Sequence, residues 1–285
     1  MRPIFRYANS AEWKFPFAPH DVGTYPKANG QVYGENKLEF QMPIEECGNM
    51  LIMAAAVGSR ERNADFAAEH WELLTRWAEY LKEHGLDPAN QLCTDDFAGH
   101  LARNANLSIK AILGIGAYSI LCKMLGRPES ETYYDLAKTM ASQWVEMARA
   151  GDHFQLTFDS GPDSWSMKYN LIWDRLFGLN LFPDTVMQLE IPYYLSKQNR
   201  YGLPLDNRNT YTKADWLVWC ASMAPDADTF TRMIRPFWDF LNESPSRVPL
   251  TDWYDTVSGK QVGFQNRSVV GGLFMKLLAD QSESK

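Results

Sequence analysis

The chain of 285 residues has only four cysteines, Cys47, Cys93, Cys122 and Cys220, and no two form a C-x-x-C pair. That spacing excludes a thiolate zinc site and leaves buried free thiols as the expected state. Basic residues are in deficit: 28 Lys and Arg stand against 35 Asp and Glu, a net charge of −7. With no basic run either, nucleic acid is excluded as a partner on charge. Long apolar runs are missing too. The longest, 107–122, is broken by Lys110 and Ser119 and falls short of a bilayer span, so no membrane partner is expected. The opening stretch holds Arg2, Arg6, Glu12 and Lys14 with no apolar core, so no signal peptide is read in this chain. Several motifs are absent as well. No G-x-G-x-x-G follows a strand, since Gly114 and Gly116 fall inside a helical pattern, and a dinucleotide site has no footing. There is no G-x-S-x-G, no S-x-x-K and no H-E-x-x-H, which argues against a serine nucleophile or a zincin. Cys47 has Glu45 and Glu46 as neighbours, which oppose a thiolate, so it reads as packed.

Aromatics, in contrast, are plentiful: 10 Trp, 13 Tyr and 15 Phe. They fit either a large helical core or a cleft lined with rings. Residues 1–40 read as an irregular lead-in, rich in Pro and Gly. Helical periodicity then runs through 45–57, 63–84, 107–125, 130–150, 166–177, 184–196, 213–223, 227–242 and 267–278. Ser130, Ser166, Asp184, Thr212 and Asp226 are the candidate N-caps. Extended pieces are brief, at 153–158 and 261–264. The helices at 45–57, 107–125, 166–177 and 213–223 are more apolar, and those at 63–84, 130–149 and 227–242 more amphipathic. Such alternation suits an all-α, two-ring (α/α) toroid of helical hairpins, forming one domain over 1–285, with loops of the inner helices gathered at one mouth.

Five loops concentrate acids, amides and rings. One holds His20, Asp21 and Tyr25; a second Glu45, Glu46 and Asn49; a third Asp95, Asp96 and His100. A fourth holds Asp159, Asp163 and Trp165, and the last Asp252, Trp253, Tyr254 and Asp255. Each acid taken singly reads more readily as a helix cap or dipole partner. As a set they suit hydrolysis by general acid and base, with Asp95 and Asp96 in one loop facing Asp252 and Asp255 in another across a cavity. Asp95 and the others apart from Asp159 and Asp255, and Gln265 beyond, are candidate substrate-binding residues. Asp159 and Asp163 with backbone carbonyls are a candidate Ca2+ pair, although the spacing is not that of an EF-hand; no other cofactor or metal is expected.

The stretches APHDVGTYPKANG (18–30), MPIEECGNMLIMAAA (42–56), NQLCTDDFAGHLARNANLSIKAILGIGAY (90–118), DSWSMKYNLIWDRLFGLNLFP (163–183), KQNRYGLPLDNRNTYTKADWLVW (197–219) and RVPLTDWYDTVSGKQVGFQNRSVVGG (247–272) cover most of the chain. In these the sequence resembles the glutaminase A-like family, known from a secreted fungal enzyme and abundant in gut Bacteroides. The resemblance implies a six-hairpin glycosidase-like toroid. It also implies a hydrolase converting L-glutamine to L-glutamate and ammonia, periplasmic or secreted as part of a longer parent. Family members usually carry a β-rich region before the toroid. This chain reads as starting inside it, with about five hairpins, and that β-rich region is then an expected partner. A looser likeness to trehalase-type glycosidases, in Asp96-Phe97 and in Asp252-Trp253-Tyr254 with 261–264, suggests an alternative. This is an inverting glycoside hydrolase of carbohydrate metabolism, with Asp96 as acid and Asp252 as base, where those enzymes carry Glu as base. A non-catalytic carbohydrate-binding or structural toroid is the third reading.

Overall fold

The computed structural model describes residues 1–32, 35–93 and 100–283. Asp95 and Asp96 lie outside them. The described residues are mainly helical, with one two-stranded ladder, and the chain divides into two compact units, Met1–Glu146 and Met147–Lys285.

In the first unit, α1 (Arg2–Ala8) starts inside what the sequence presents as irregular lead-in. A short 3-10 turn, Leu38–Phe40, precedes α2 (Pro43–Glu61), α3 (Asp65–Glu69), α4 (Trp71–His84), α5 (Ala105–Met124) and α6 (Ser130–Ala148). Pro43 opens α2, where its missing N–H costs nothing. One continuous helix over 63–84 is expected from periodicity, but the chain breaks at His70, whose φ is −122°. Its ring stacks on Phe5 of α1 at 4.0 Å. A tertiary contact thus interrupts a locally helical sequence. Asn104 caps α5 by accepting from the Leu107 N–H at 3.0 Å. Helix α5 is long and apolar enough to cross a membrane by length and composition alone, beyond the sequence expectation. Its side chains are nevertheless buried around its whole circumference, so it is the core helix of this unit.

Helices α2 and α5 cross at two glycines. A Cβ on Gly114 would stand 3.1 Å from Gly48 Cα, and one on Gly48 would strike Lys110 Cγ at 2.6 Å. The bare backbones let the helices close up and leave a slot for the Lys110 stem. Leu51, Leu74, Trp77, Leu81, Ile112 and Leu113 fill the surrounding core. Cys47, Cys93 and Cys122 are buried in this unit and carry no disulfide.

In the second unit, a 3-10 turn (Tyr169–Leu171) leads into α7 (Ile172–Phe177), followed by α8 (Thr185–Lys197). Strand β1 (Tyr211–Lys213) runs directly into α9 (Ala214–Ala221); then come α10 (Ala227–Glu243), β2 (Trp253–Asp255), a 3-10 segment (Ser268–Phe274) and α11 (Met275–Glu283). Asp226 caps α10 through the Thr229 N–H at 2.7 Å, as expected. The expected caps Ser166 and Thr212 are not caps: Ser166 lies outside any helix, and Lys213 stands at the cap position of α9. Asp184 holds the cap position of α8 without a side-chain bond. The stretches 153–158 and 261–264 form only isolated bridges, Arg149 with Phe154 and Tyr254 with Gln261. The ladder lies elsewhere. β1 and β2 pair antiparallel, with Thr212 opposite Tyr254 and Lys213 opposite Trp253. Helix α9 is buried along nearly its whole length, whereas α10 buries only the stripe of Met233, Phe237 and Phe240. Cys220, also buried, carries no disulfide.

Candidate functional site

The first unit gathers four of the expected residues into one chain of contacts. His20 Nδ1 lies 2.9 Å from Glu46 Oε1. Asn49 Nδ2 donates to the other oxygen of Glu46 at 3.3 Å. Lys110 Nζ donates to Asn49 Oδ1 at 2.6 Å and lies 3.1 Å from Glu45 Oε1. Glu45, Glu46 and Asn49 occupy the first two turns of α2, and Lys110 reaches them from α5 through the slot at Gly48. Glu45 and Lys110 are buried, a pairing that offsets the desolvation of each charge. At the outer end the His20 side chain keeps 28% of its surface and Glu46 keeps 17%. A relay of alternating donors and acceptors therefore runs from a buried ion pair to an imidazole that solvent reaches.

Other expected residues of this unit are placed differently. Asp21 accepts from the Gly23 and Val32 N–H groups at 2.9 and 2.8 Å and so shapes its own loop. Tyr25 is 85% exposed, and His100 Nε2 contacts the Glu39 carbonyl at 2.8 Å. Asp95 and Asp96 are not among the described residues.

The second unit holds an ion cluster where β1 meets α9. Lys213 Nζ contacts Asp252 Oδ2 and lies 3.7 Å from Asp215 Oδ1. Arg267 Nη2 donates to Asp252 Oδ2 at 2.8 Å. The β1–β2 register and the bond from the Ala214 N–H to the Asp252 carbonyl, 2.8 Å, hold the group together. Asp252 has no accessible surface. Burial pushes its carboxyl up, but hydrogen bonds and charge from Arg267 and Lys213 outweigh this and hold it below the usual carboxylate range. Asp215 goes the other way. Burial raises its carboxyl, Lys213 only partly opposes this, and the Asp252 charge adds to the rise. Two neighbouring carboxyls are thus driven apart in their ionisation.

A general base must touch the water that it activates; among the described residues Asp252 is paired with Lys213 and Arg267 and is fully covered. Tyr254 is also core rather than substrate-facing: it is fully buried, stacks on Phe240 at 3.7 Å and donates to the Tyr201 carbonyl at 2.8 Å. Trp165 is buried edge-on against Tyr193. Trp253 is half-buried beside Phe264, while Gln265 and Asp163 are exposed. Asp159 accepts from Thr157 Oγ1 at 2.8 Å, and among the described residues no three His, Cys, Asp or Glu side chains converge as a metal cage.

Sequence reasoning missed Lys110, Lys213, Asp215 and Arg267. A signal existed for Lys110, the one cation inside an apolar run. For the others it did not, because they join segments remote in sequence. A groove of about 940 Å3 in the second unit, lined by Phe182, Met187, Ile191, Pro192 and Met223, contains none of the residues expected to be catalytic or substrate-binding.

The sequence-family model for the glutaminase A six helical-hairpin domain matches residues 1–277. The chain belongs to the glutaminase A six helical-hairpin domain family. A protein named glutaminase A from Aspergillus oryzae is 36% identical over 98% of this chain. A probable glutaminase from Arthroderma benhamiae is 28% identical over 99%. The chain spans 41% and 43% of the length of these two curated relatives. Among solved structures, a glycosidase in complex with glucose aligns with a TM-score of 0.66 at 14% identity, covering 96% of this chain and 73% of that one. The family 15 glucoamylase of Hypocrea jecorina aligns at 0.56 and 9% identity, covering 90% and 57%. At such identities the likeness speaks for the fold, and it makes this glutaminase A-family chain a six-hairpin glycosidase-like, all-α protein.

Proposed function

We propose that this chain carries the hydrolytic site of a glutaminase-type enzyme that converts L-glutamine to L-glutamate and ammonia. The observation that supports it best is the His20–Glu46 pair at the open end of the relay. A carboxylate on Nδ1 fixes the ring with Nδ1–H donating and Nε2 as base. In this reading Nε2 takes a proton from a water that attacks the carboxamide carbon. The imidazolium then returns the proton to the departing ammonia. Glu46 stabilises the imidazolium, Asn49 orients Glu46, and Lys110 with Glu45 anchors Asn49. The names of the fungal relatives agree with this chemistry. Periplasmic or secreted placement within a longer, Bacteroides-type parent, with its β-rich region as partner, is part of the same proposal.

The test is ammonia release from L-glutamine. His20→Asn lowers kcat by about 10²–10⁴, the usual worth of a general base, and Glu46→Gln lowers it too. Undiminished release from His20→Asn refutes the assignment. One observation favours a second reading, a glycoside hydrolase of carbohydrate metabolism. Asp215 stands buried beside Lys213 with its carboxyl raised above the usual range, as in a group that holds a proton for transfer. The sequence likeness offers Asp96 as the alternative proton donor. Reducing-sugar release that survives His20→Asn and disappears on Asp215→Asn selects this reading.

A further inference from the structure

We propose that the face of α9 beneath the 3-10 segment is a ligand site for a neutral group pairing a hydrogen-bond donor with an acceptor, a carboxamide or a sugar hydroxyl, held by Asp215 and Trp219. The two residues stand four apart on α9 and so share one face. Asp215 is 94% buried, with an exposure of 6%, yet its Oδ1 makes no hydrogen bond and its Lys213 ion partner is 3.7 Å away. Trp219 Nε1 is likewise buried without a hydrogen-bond partner. Leaving an acceptor and a donor side by side, dry and unmet, is costly.

What lies over both is Gly272. A Cβ there would stand 2.8 Å from Asp215 Cβ and 2.9 Å from Trp219 Nε1. The segment that carries it, Ser268–Phe274, is a seven-residue 3-10 helix with no buried residue of its own. Runs of this length are uncommon. It begins beside Arg267, whose guanidinium holds Asp252. The cover therefore sits on polar atoms that it does not satisfy, and a ligand that does satisfy them displaces it. A carboxamide N–H or a hydroxyl donates to Asp215, while the carbonyl or hydroxyl oxygen accepts from Trp219. Trp173, edge-on to Trp219 at 5.8 Å, and Tyr169, at 6.2 Å, supply ring walls. The inference draws its ligand classes from the hydrolase reading but concerns binding alone, so turnover can fail while binding holds.

Calorimetric titration of the full chain with L-glutamine and with D-glucose tests it, with L-glutamate as a control that lacks the amide N–H. The wild type binds one of the two in preference to L-glutamate, and which one it binds identifies the ligand class. Trp219→Phe, which keeps a ring and removes the N–H, weakens Kd about tenfold, and Asp215→Asn weakens it too. Amide hydrogen exchange in 268–274 speeds up with ligand bound, a change that a merely structural Asp215 would not produce. Binding of neither ligand by the wild type, an unchanged Kd in Trp219→Phe, or unaltered exchange in 268–274 overturns the proposal. Binding that behaves as described, with no ammonia or sugar released, leaves it standing and removes the hydrolase reading instead.

Discussion

Replacing Asp252 by Asn separates a structural anchor from a catalytic base. The change keeps the volume and removes the charge. Lys213, 1% exposed, then loses the counter-charge that touches it, while Asp215 stands 3.7 Å away. Arg267 is 35% exposed and returns to water, so its share of the loss is small. Breaking a buried pair by removing one partner costs about 3–5 kcal/mol. With an unfolding entropy of about 2 cal/mol/K per residue, the full chain loses about 0.6 kcal/mol per degree, and Tm falls by roughly 5–8 °C. Thermal unfolding followed by circular dichroism measures this at pH 7. The sign with pH also follows. The folded carboxyl lies below its unfolded value of about 3.9, so its contribution is present above that value and lost as pH falls through the lower folded one. The wild type and Asp252→Asn therefore converge in acid. The double variant Lys213→Met with Asp252→Leu, which removes both charges, recovers most of the loss. A Tm within one degree of wild type together with abolished turnover refutes this reasoning and restores Asp252 as a base.

Asp215→Asn has the opposite expected effect. Its folded carboxyl lies above the unfolded value, so ionisation of the unfolded chain erodes stability as pH rises. The variant is more stable than wild type at pH 7, and the gain vanishes below about pH 3.9. Gly48→Ala drives a Cβ into the Lys110 stem and lowers both stability, by about 1–3 kcal/mol, and ammonia release; unfolding and activity assays measure the two effects. Asn104→Ala removes the cap of α5 and costs about 0.5–2 kcal/mol in denaturant unfolding. Leu113→Ala opens a cavity in the core of the first unit and costs about 2–5 kcal/mol in the same assay.

The helices were readable because their signals are local. The apolar run of α5, Pro43 with its acids at the start of α2, and Asp226 before α10 each act within a turn or two. His20, Glu46 and Asn49 were readable as polar residues in helix-entry loops, and packing then joined them. What stayed hidden depends on distant segments. The break at His70 comes from stacking on Phe5, sixty-five residues earlier, with no glycine or proline to announce it. The β1–β2 pairing joins 211–213 to 253–255, and the cluster of Lys213, Asp215, Asp252 and Arg267 exists only because of it. A sequence records the acid Asp252 in its loop and not the two cations beside it. A ring in a polar loop, such as Tyr254 or Trp165, likewise reads alike whether it faces a ligand or the core.

The four thiols give each unit a silent reporter. All are buried, and burial lifts Cys47 above its ordinary range and Cys122 to about 11. An alkylating reagent at neutral pH finds neither exposed sulfur nor thiolate while the fold is shut. Labelling at Cys47, Cys93 or Cys122 then times the opening of the first unit, and labelling at Cys220 times that of the second. Peptide mapping after a brief pulse of reagent in rising denaturant reads both clocks from one sample, without any engineered probe.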